Sequence, residues 1–239
     1  MADYDLLIKN GTIVDGLRMP AFKGDIGIRN GKIAAMGNVQ GTATRVIDAT
    51  ELVVAPGFMD IHTHYDAALS GWDPYATLSG WHGVTTVAIG NCGFGFAPVR
   101  PGDRERAMLR MERTETIPLS MMQASMRWDW VTFPEFLDSL DRHGLGVNAA
   151  SLVPYSPLRA WVMGNEAARD PNYKATSDQI TQMKHILREA LNAGGFGFSG
   201  TFSMANRDYD GGYLPTQVAS REEFLEMATV LRDYNRGSI

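Results

Sequence analysis

The pattern of hydrophobic and polar positions divides the chain at about residue 57. Before this point, short β-rich stretches such as "LLIKNGTIV" and "IGIRNGKIAAMG" are separated by polar residues, and no helical periodicity appears. Each stretch contains the dipeptide Asn-Gly, at Asn10-Gly11 and at Asn30-Gly31. Asn-Gly suits a type I′ turn, in which both central residues need a positive φ. We therefore predict small antiparallel strands in the first 50 residues, with a tight hairpin at each dipeptide.

After residue 57, apolar strands alternate with amphipathic helices. Thr132, Thr176 and Ser220 each precede a helical pattern and have Glu or Gln three residues later, as in a capping box. Such alternation is typical of βαβ units and a parallel sheet. The candidate strands are residues 58–62, 85–90, 147–153 and 195–199.

The order of these elements predicts an α/β fold in two parts. Residues 1–56 are expected to form a small N-terminal β-sandwich segment, composite with strands from elsewhere in the protein. Residues 57–239 are expected to form the first half, about four βα units, of a TIM-type (β/α)8 barrel, which takes about 250 residues when complete. A fifth strand could begin at the terminal "NRGSI". We therefore expect the chain to be a truncated fragment.

Composition and charge exclude several classes of protein. Hydrophobic residues make up 44% of the chain and charged residues 21%, as in ordinary soluble proteins. The formal net charge of −5 gives no reason to expect a nucleic-acid partner, and the run "RPGDRERAMLRMER" is interpreted as a solvated helix face. The single cysteine, Cys92, excludes an intramolecular disulfide. Without a signal peptide or an apolar run of ~20 residues, we expect a cytoplasmic protein that does not bind membranes.

The stretch "VVAPGFMDIHTHYDA" carries the first candidate site residues. Its apolar run stops at His62 and His64, which face the same side of a strand because side chains alternate. Cys92 follows the next apolar strand, among glycines that let the backbone approach closely. In a parallel barrel, side chains at the carboxyl ends of the strands gather at one face. Two imidazoles and a thiolate suit zinc, so we predict that these three residues are metal ligands.

Each part of this set has a simpler interpretation when it is taken alone. A His-x-His pair is common without a metal, and a lone cysteine is usually a small buried hydrophobic residue. The joint placement at two strand ends is what favours a metal site. Asp66 is a candidate for orienting a ligand histidine, and it fits equally well as a cap for the turn after the strand.

The other histidines and the tryptophans are interpreted as structural. His82 precedes its strand, and His143 and His185 lie on predicted helices, so none is assigned to the site. The loop of residues 200–213 follows the fourth strand and could touch a substrate. Packing roles are expected for the tryptophans at positions 72, 81, 128 and 130.

Longer motifs around the candidate ligands resemble those of a known family. "GFMDIHTHYDA" and "HGVTTVAIGNCGFGFAP" closely resemble the amidohydrolase superfamily and, within it, the D-aminoacylase (N-acyl-D-amino-acid deacylase) group. "IKNGTIVDG", "GDIGIRNGKIAAMG" and "VIDATELVVAPGFMD" are similar to the N-terminal β-sandwich of that superfamily and its first barrel strand. "NAGGFGFSGTF" is similar to the fourth-strand segment of the group. The resemblance covers nearly the whole chain and corresponds to the N-terminal portion of such an enzyme.

The resemblance implies a hydrolase that depends on one or two zinc ions. Its substrates would be N-acyl-D-amino acids, whose amide bond is hydrolysed to a carboxylate and a D-amino acid. Cys92 stands where many relatives have a carboxylated lysine that bridges two metals. In the family, two further histidines and a general-base aspartate come from later barrel strands, but no histidine follows His185 in this chain. We therefore expect the general-base aspartate to lie beyond Ile239.

The expected half-barrel has consequences for the isolated chain. It leaves open sheet edges and an uncovered apolar interior, which favour association. We expect the 239-residue chain to be inactive, and to self-associate or to need a missing C-terminal half.

Two other functions compete with this one. The first is a cyclic-amide hydrolase of the hydantoinase or dihydropyrimidinase type, against which Cys92 argues because it replaces the bridging lysine. The second belongs to a different class: a non-catalytic half-barrel that serves as a binding or assembly module. Metal content without hydrolysis would favour this second alternative.

Overall fold

The computed structural model describes residues 2–239, which form two compact units that part between Gly57 and Phe58. The predicted division into a composite β-sandwich domain (1–56) and a barrel domain (57–239) stays a prediction. Among the described residues, no helix combines the length and the apolar character needed to cross a membrane.

The first unit is a mixed β-sheet. Within residues 2–57, its strands are β1 (Tyr4–Ile13), β2 (Phe22–Arg29), β3 (Lys32–Gly37), β4 (Ala43–Asp48) and β5 (Val53–Val54). β1, β2 and β3 are antiparallel neighbours, whereas β4 and β5 both run parallel to β1. The prediction of antiparallel strands in the first 50 residues is therefore right for the first three strands and wrong for β4. A parallel pairing needs a longer connection, which leaves no short turn motif in the sequence.

The two Asn-Gly dipeptides adopt different local structures. Asn30 and Gly31 have φ values of 51° and 69° and connect β2 to β3, so the hairpin predicted there is confirmed. The hairpin predicted at Asn10-Gly11 is wrong, because β1 runs through it with a bulge in its register against β2. Asn10 has a φ of 65°, and its N–H donates to the Asp25 carboxylate at 2.9 Å. The dipeptide thus supplies a positive φ at both places, but at Asn10 it serves a β-bulge.

The second unit contains the predicted parallel half-barrel. Within residues 58–239, its strands are β6 (Phe58–Asp60), β7 (Val84–Ile89), β8 (Asn148–Pro154) and β9 (Gly197–Ser199). They pair in parallel in the order β6-β7-β8-β9. Ser238 forms a parallel bridge with Gly197, at the place where a fifth strand was predicted to begin. The predicted fold class, an N-terminal β segment followed by half of a barrel, is confirmed.

Helices connect and follow these strands. In the part of this unit that the structure describes, they are α1 (Asp66–Leu69), α2 (Thr77–Gly80), α3 (Arg104–Glu115), α4 (Leu119–Ser125), α5 (Phe133–His143), α6 (Tyr155–Met163), α7 (Asn165–Arg169), α8 (Ser177–Asn192), α9 (Pro215–Val218) and α10 (Arg221–Tyr234). Short 3-10 turns cover Asn91–Gly93 and Pro101–Asp103. The capping boxes predicted at Thr132 and Thr176 are both formed, and Ser220 accepts from the N–H of Glu223.

The hydrophobic core of the second unit lies between the sheet and the helices. Burying an aliphatic or aromatic side chain of this kind stabilises the fold by about 1.5–3 kcal/mol. The fully buried members on the strands are Val87, Ile89, Val153 and Phe198, and those on α8 and α10 are Met183, Leu187, Ala190, Leu191, Met227 and Val230. The other face of the strands, which includes Ala88 and Leu152, lines an open cavity in the half-barrel interior.

The arginine-rich helix α3 is not only a solvated surface. Arg110 is buried, and its Nε and Nη2 atoms each donate to the carboxylate of Asp208 at 3.0 Å. Asp208 is itself fully buried, in the loop between β9 and α9. The interpretation of this run as a solvated face is therefore wrong for Arg110. The reason is that its partner lies 98 residues away, where no local pattern can reveal it.

The tryptophans differ in their packing. Trp130 is buried and donates its indole N–H to the Phe96 carbonyl at 2.8 Å. Trp72 and Trp128 are partly buried against the same core. Trp81 is 79% exposed, so the packing role expected for it is wrong.

Replacing Asp208 by asparagine tests the contribution of the buried ion pair. Asp208→Asn leaves the buried Arg110 guanidinium without a charged partner, and we expect the free energy of unfolding to fall by about 3–5 kcal/mol. The matched control is Asp233→Asn, which removes an exposed pair with Arg188 at 3.2 Å and is expected to cost about 1 kcal/mol or less. Urea denaturation measures both effects. Equal losses in the two variants would contradict this account.

Candidate metal centre

The end of β6 presents two histidines on one side. The segment after Asp60 is held against β7 by Thr63, whose N–H and hydroxyl both donate to the carbonyl of Ala88, at 3.1 and 2.7 Å. His62 and His64 flank Thr63 in this segment. The imidazole rings of His62 and His64 lie edge to face, with their centroids 5.5 Å apart.

The end of β7 presents the cysteine from a tight turn. Gly90 has a φ of 76°, and Cys92 itself has a φ of 56°, which is uncommon for a residue other than glycine. The Asn91 side chain donates to the carbonyls of Thr63 and Ala88, at 3.2 and 3.0 Å. These bonds hold the turn against the end of β6.

Ser199, at the end of β9, holds the other side of this turn. Its hydroxyl accepts from the N–H of Gly93 at 2.9 Å and donates to the carbonyl of Gly90. A Cβ on Gly90 would overlap the backbone of Leu152, so the turn requires glycine there. The position of Cys92 is therefore set by the ends of three strands.

These local structures bring the three predicted ligands together. One nitrogen of each histidine and the Cys92 Sγ all lie within 4.8 Å of one another. Sγ is 3.3 Å from the Nε2 atom of His62. Donor atoms at such separations can converge on one ion whose metal–ligand distances are about 2.0–2.3 Å.

The charge states of the cluster also suit a cation. Burial, and then the neighbouring His62, lower the pKa of His64 to about 4, which keeps its ring neutral and able to donate a lone pair. Its Nδ1 atom is buried without a hydrogen-bond partner in the part of the chain that the structure describes. Burial, and then the charge of Glu115, raise the pKa of the Cys92 thiol. The protein alone thus favours the thiol, whereas a bound metal ion would convert it to the thiolate.

Glu115 is a neighbour of this cluster that the sequence did not indicate. It is the last residue of α3, and its Oε1 atom lies 3.6 Å from the Nε2 atom of His64. Burial raises the pKa of its carboxyl group. No local signal marked it, because Glu115 follows the arginine-rich run by two residues and its neighbour His64 lies far away along the chain.

Asp66 is the first residue of α1 and is almost fully buried. Burial raises the pKa of its carboxyl group to about 7. Within residues 2–239, its Oδ2 atom has no hydrogen-bond partner, and the start of α1 has no side-chain cap. Its predicted role as an orienting group or a cap stays a prediction.

The remaining histidines lie outside the cluster. His82 is exposed in the turn before β7. His143 is 3.1 Å from the Asp129 carboxylate, and His185 is an exposed residue of α8 beside Glu189.

An open cavity of about 650 Å³ lies beside the candidate ligands. His62 and Cys92 form part of its wall, together with Ser199 and Thr201 at the end of β9. Phe196 contributes an apolar wall and is 54% exposed. The cavity gives a small molecule access to the cluster.

The comparison with known proteins defines the class of this chain. The sequence profile of the amidohydrolase family matches residues 45–239, and the chain belongs to that family. The resemblance to the N-terminal portion of the D-aminoacylase group is confirmed. The D-aminoacylase of Alcaligenes xylosoxydans xylosoxydans is 34% identical over 231 residues, which are 95% of this chain and 42% of that protein.

Two solved structures share the fold of this chain. One is the N-acyl-D-glutamate deacylase of Bordetella bronchiseptica, in complex with zinc and a phosphonate inhibitor that mimics the tetrahedral intermediate. It is 31% identical, with a TM-score of 0.76, over 98% of this chain and 44% of that one. The other is a D-aminoacylase with a binuclear metal centre, 32% identical with a TM-score of 0.75 over the same shares. The chain thus spans about two fifths of the length of these relatives.

Zinc titration of single-ligand variants tests the candidate centre. Removing one donor of three should weaken zinc binding by about tenfold or more, so we expect this loss in both His62→Ala and Cys92→Ala. The control is His185→Ala, because the His185 side chain is 72% exposed and lies outside the cluster of candidate ligands. Competition against a chromophoric chelator measures the affinities. Zinc binding that is unchanged in Cys92→Ala would remove Cys92 from the site.

The turn that carries Cys92 gives a separate prediction. We expect Gly90→Ala to lower the free energy of unfolding by about 1–3 kcal/mol or more and to weaken zinc binding, because of the positive φ and the overlap with Leu152. Gly102→Ala is the control, since an added Cβ there meets open space. Urea denaturation and zinc titration read out the two effects. A stable Gly90→Ala variant with normal zinc affinity would show that the turn does not position the ligand.

Proposed function

We propose that this chain forms the N-terminal part of a zinc-dependent amidohydrolase that hydrolyses N-acyl-D-amino acids to a carboxylate and a D-amino acid. The observation that carries this proposal is the cluster of two imidazoles and a thiol at the carboxyl edge of a parallel half-barrel. The relatives support it, because those with solved structures include a zinc-bound deacylase of N-acyl-D-glutamate.

Different residues of the chain would bind the metal ion and contact the substrate. His62 and His64 would hold the ion as neutral donors, and Cys92 would add negative charge as a thiolate. Bound zinc polarises an amide carbonyl and lowers the pKa of a water molecule. The adjacent cavity would hold the substrate, with Phe196 against its apolar part and Ser199 and Thr201 offering hydroxyl groups. Proton transfer is assigned to the aspartate predicted beyond Ile239.

We also infer that the 239-residue chain lacks activity by itself. Met59 and Ile61, at the β6 edge, are 70% and 76% exposed, and the inner face of the sheet is open. Exposed apolar residues beside an unpaired strand favour association. The chain is therefore expected to self-associate or to combine with a further half-barrel that supplies the missing ligands.

The test begins by reading the coding DNA beyond codon 239 and expressing the complete product. With zinc, we expect this product to release amino acid from N-acetyl-D-glutamate or N-acetyl-D-methionine, and much more slowly from the L-enantiomers. Cys92→Ala in the complete product should lower the rate by about tenfold or more. The 239-residue chain, assayed in parallel, should release none.

Three results would count against the proposal. Faster hydrolysis of hydantoin or dihydrouracil would favour a cyclic-amide hydrolase. Zinc binding without hydrolysis of either class, in the complete product, would favour a binding or assembly role. Full activity in the 239-residue chain would contradict the inferred need for further residues.

A further inference from the structure

The two Asn-Gly dipeptides of the first unit are capable of a reaction that the proposed function does not use. The backbone nitrogen of the glycine can attack the side-chain amide carbon of the asparagine, because glycine has no Cβ to hinder the approach. The new N–Cγ bond closes a succinimide ring, while the Cγ–Nδ2 bond breaks and ammonia leaves. Water then opens the ring to give aspartate or isoaspartate. Since water is the only co-reactant, the local structure decides which dipeptide reacts.

Asn30-Gly31 lies at the exposed end of a hairpin. Both residues are exposed, and an added Cβ on Gly31 would meet no atom within 4 Å. The strand that follows, β3, lies at one edge of the sheet, and its residues are mostly exposed. Opening such a turn uncovers little apolar surface, so it costs little free energy. The backbone of Asn30 can therefore rotate for ring closure without unfolding of the sheet.

Asn10-Gly11 has the same chemistry but a protected position. It lies within β1, which pairs with β2 on one side and with β4 and β5 on the other. Gly11 is buried, and an added Cβ there would overlap the side chain of Val54. The Asn10 N–H donates to Asp25 at 2.9 Å, and its side-chain amide donates to Asp48 at 3.1 Å. Rotation of this backbone requires the centre of the sheet to open, which costs much more free energy.

We propose that Asn30 is a site of spontaneous deamidation, at which the chain acquires aspartate or isoaspartate, and that the sheet protects Asn10 from the same reaction. The inference is independent of the proposed function, because both dipeptides lie in the first unit.

The product changes the hairpin in two ways. Isoaspartate carries the main chain through its side-chain carbon, so the two-residue turn between β2 and β3 becomes one methylene longer. The reaction also replaces a neutral amide by a carboxylate, close to Asp5, whose own carboxylate accepts from the Asn30 N–H at 2.5 Å. Two like charges at short range repel each other. Both changes weaken the pairing of β2 with β3.

Peptide mapping by mass spectrometry tests this assignment on the 239-residue chain, incubated in warm, mildly alkaline buffer. Deamidation raises the mass of a peptide because NH2 is replaced by OH, and chromatography separates the aspartate and isoaspartate forms. A parallel sample unfolded in guanidinium chloride reports the intrinsic reactivity of both dipeptides. Asn30→Gly is the matched variant, because Gly-Gly also forms a turn with positive φ but has no side-chain amide.

In the folded chain we expect Asn30 to react about tenfold or more faster than Asn10, whereas the two rates should be similar in the unfolded chain. Asn30→Gly should abolish the mass gain in its own peptide and leave Asn10 unchanged. Amide hydrogen exchange in β3 should rise as isoaspartate accumulates in the wild type.

Two results would overturn the proposal. The first is an equal rate at the two dipeptides in the folded chain, which would show that the sheet gives Asn10 no protection. The second is an Asn30 that stays intact in the folded chain, whether or not the unfolded chain reacts, which would show that the turn does not open for ring closure.

Discussion

The carbonyl oxygen of Ala88, at the end of β7, accepts hydrogen bonds from three donors, and the geometry of the cluster depends on it. Thr63 donates through its N–H and its hydroxyl, and Asn91 donates through its side-chain amide. One oxygen therefore joins the segment that follows β6 to the turn that carries Cys92. Parallel pairing of β6 and β7 brings these two segments to the same edge of the sheet, and the three bonds convert this proximity into a defined separation.

The candidate metal centre contains several features that lower the stability of the fold, and the packed core of the second unit offsets their cost. Cys92 is held in a left-handed conformation, and both the His64 Nδ1 and the Asp66 Oδ2 atoms are buried without partners among residues 2–239. Each such feature costs about 1–3 kcal/mol. Fully packed side chains on the helix side of the same strands stabilise the fold by comparable amounts each. Functional sites typically contain such unfavourable local features, which persist because the surrounding core is well packed.

The sequence predicted those features that depend on neighbouring residues. The capping boxes at Thr132 and Thr176 are local, and the proximity of the candidate ligands follows from parallel strands that end at one edge. It could not predict features that depend on distant partners. Asn10-Gly11 has the same composition whether it forms a hairpin or a bulge, and only its neighbours across the sheet decide. The contact of Glu115 with His64 requires the path of a long connection that the local pattern does not encode.

The separation of Arg110 from Asp208 along the chain also bears on the order of folding. Cys92 and His62 are 30 residues apart, whereas this ion pair joins residues 98 apart. Closing the longer loop costs about 1 kcal/mol more in chain entropy, and contacts at long separation form slowly. The candidate ligands can therefore meet before the loop that carries Asp208 docks on α3. In a nascent chain, the candidate ligands would come together first, and the loop that carries Asp208 would pack against α3 afterwards.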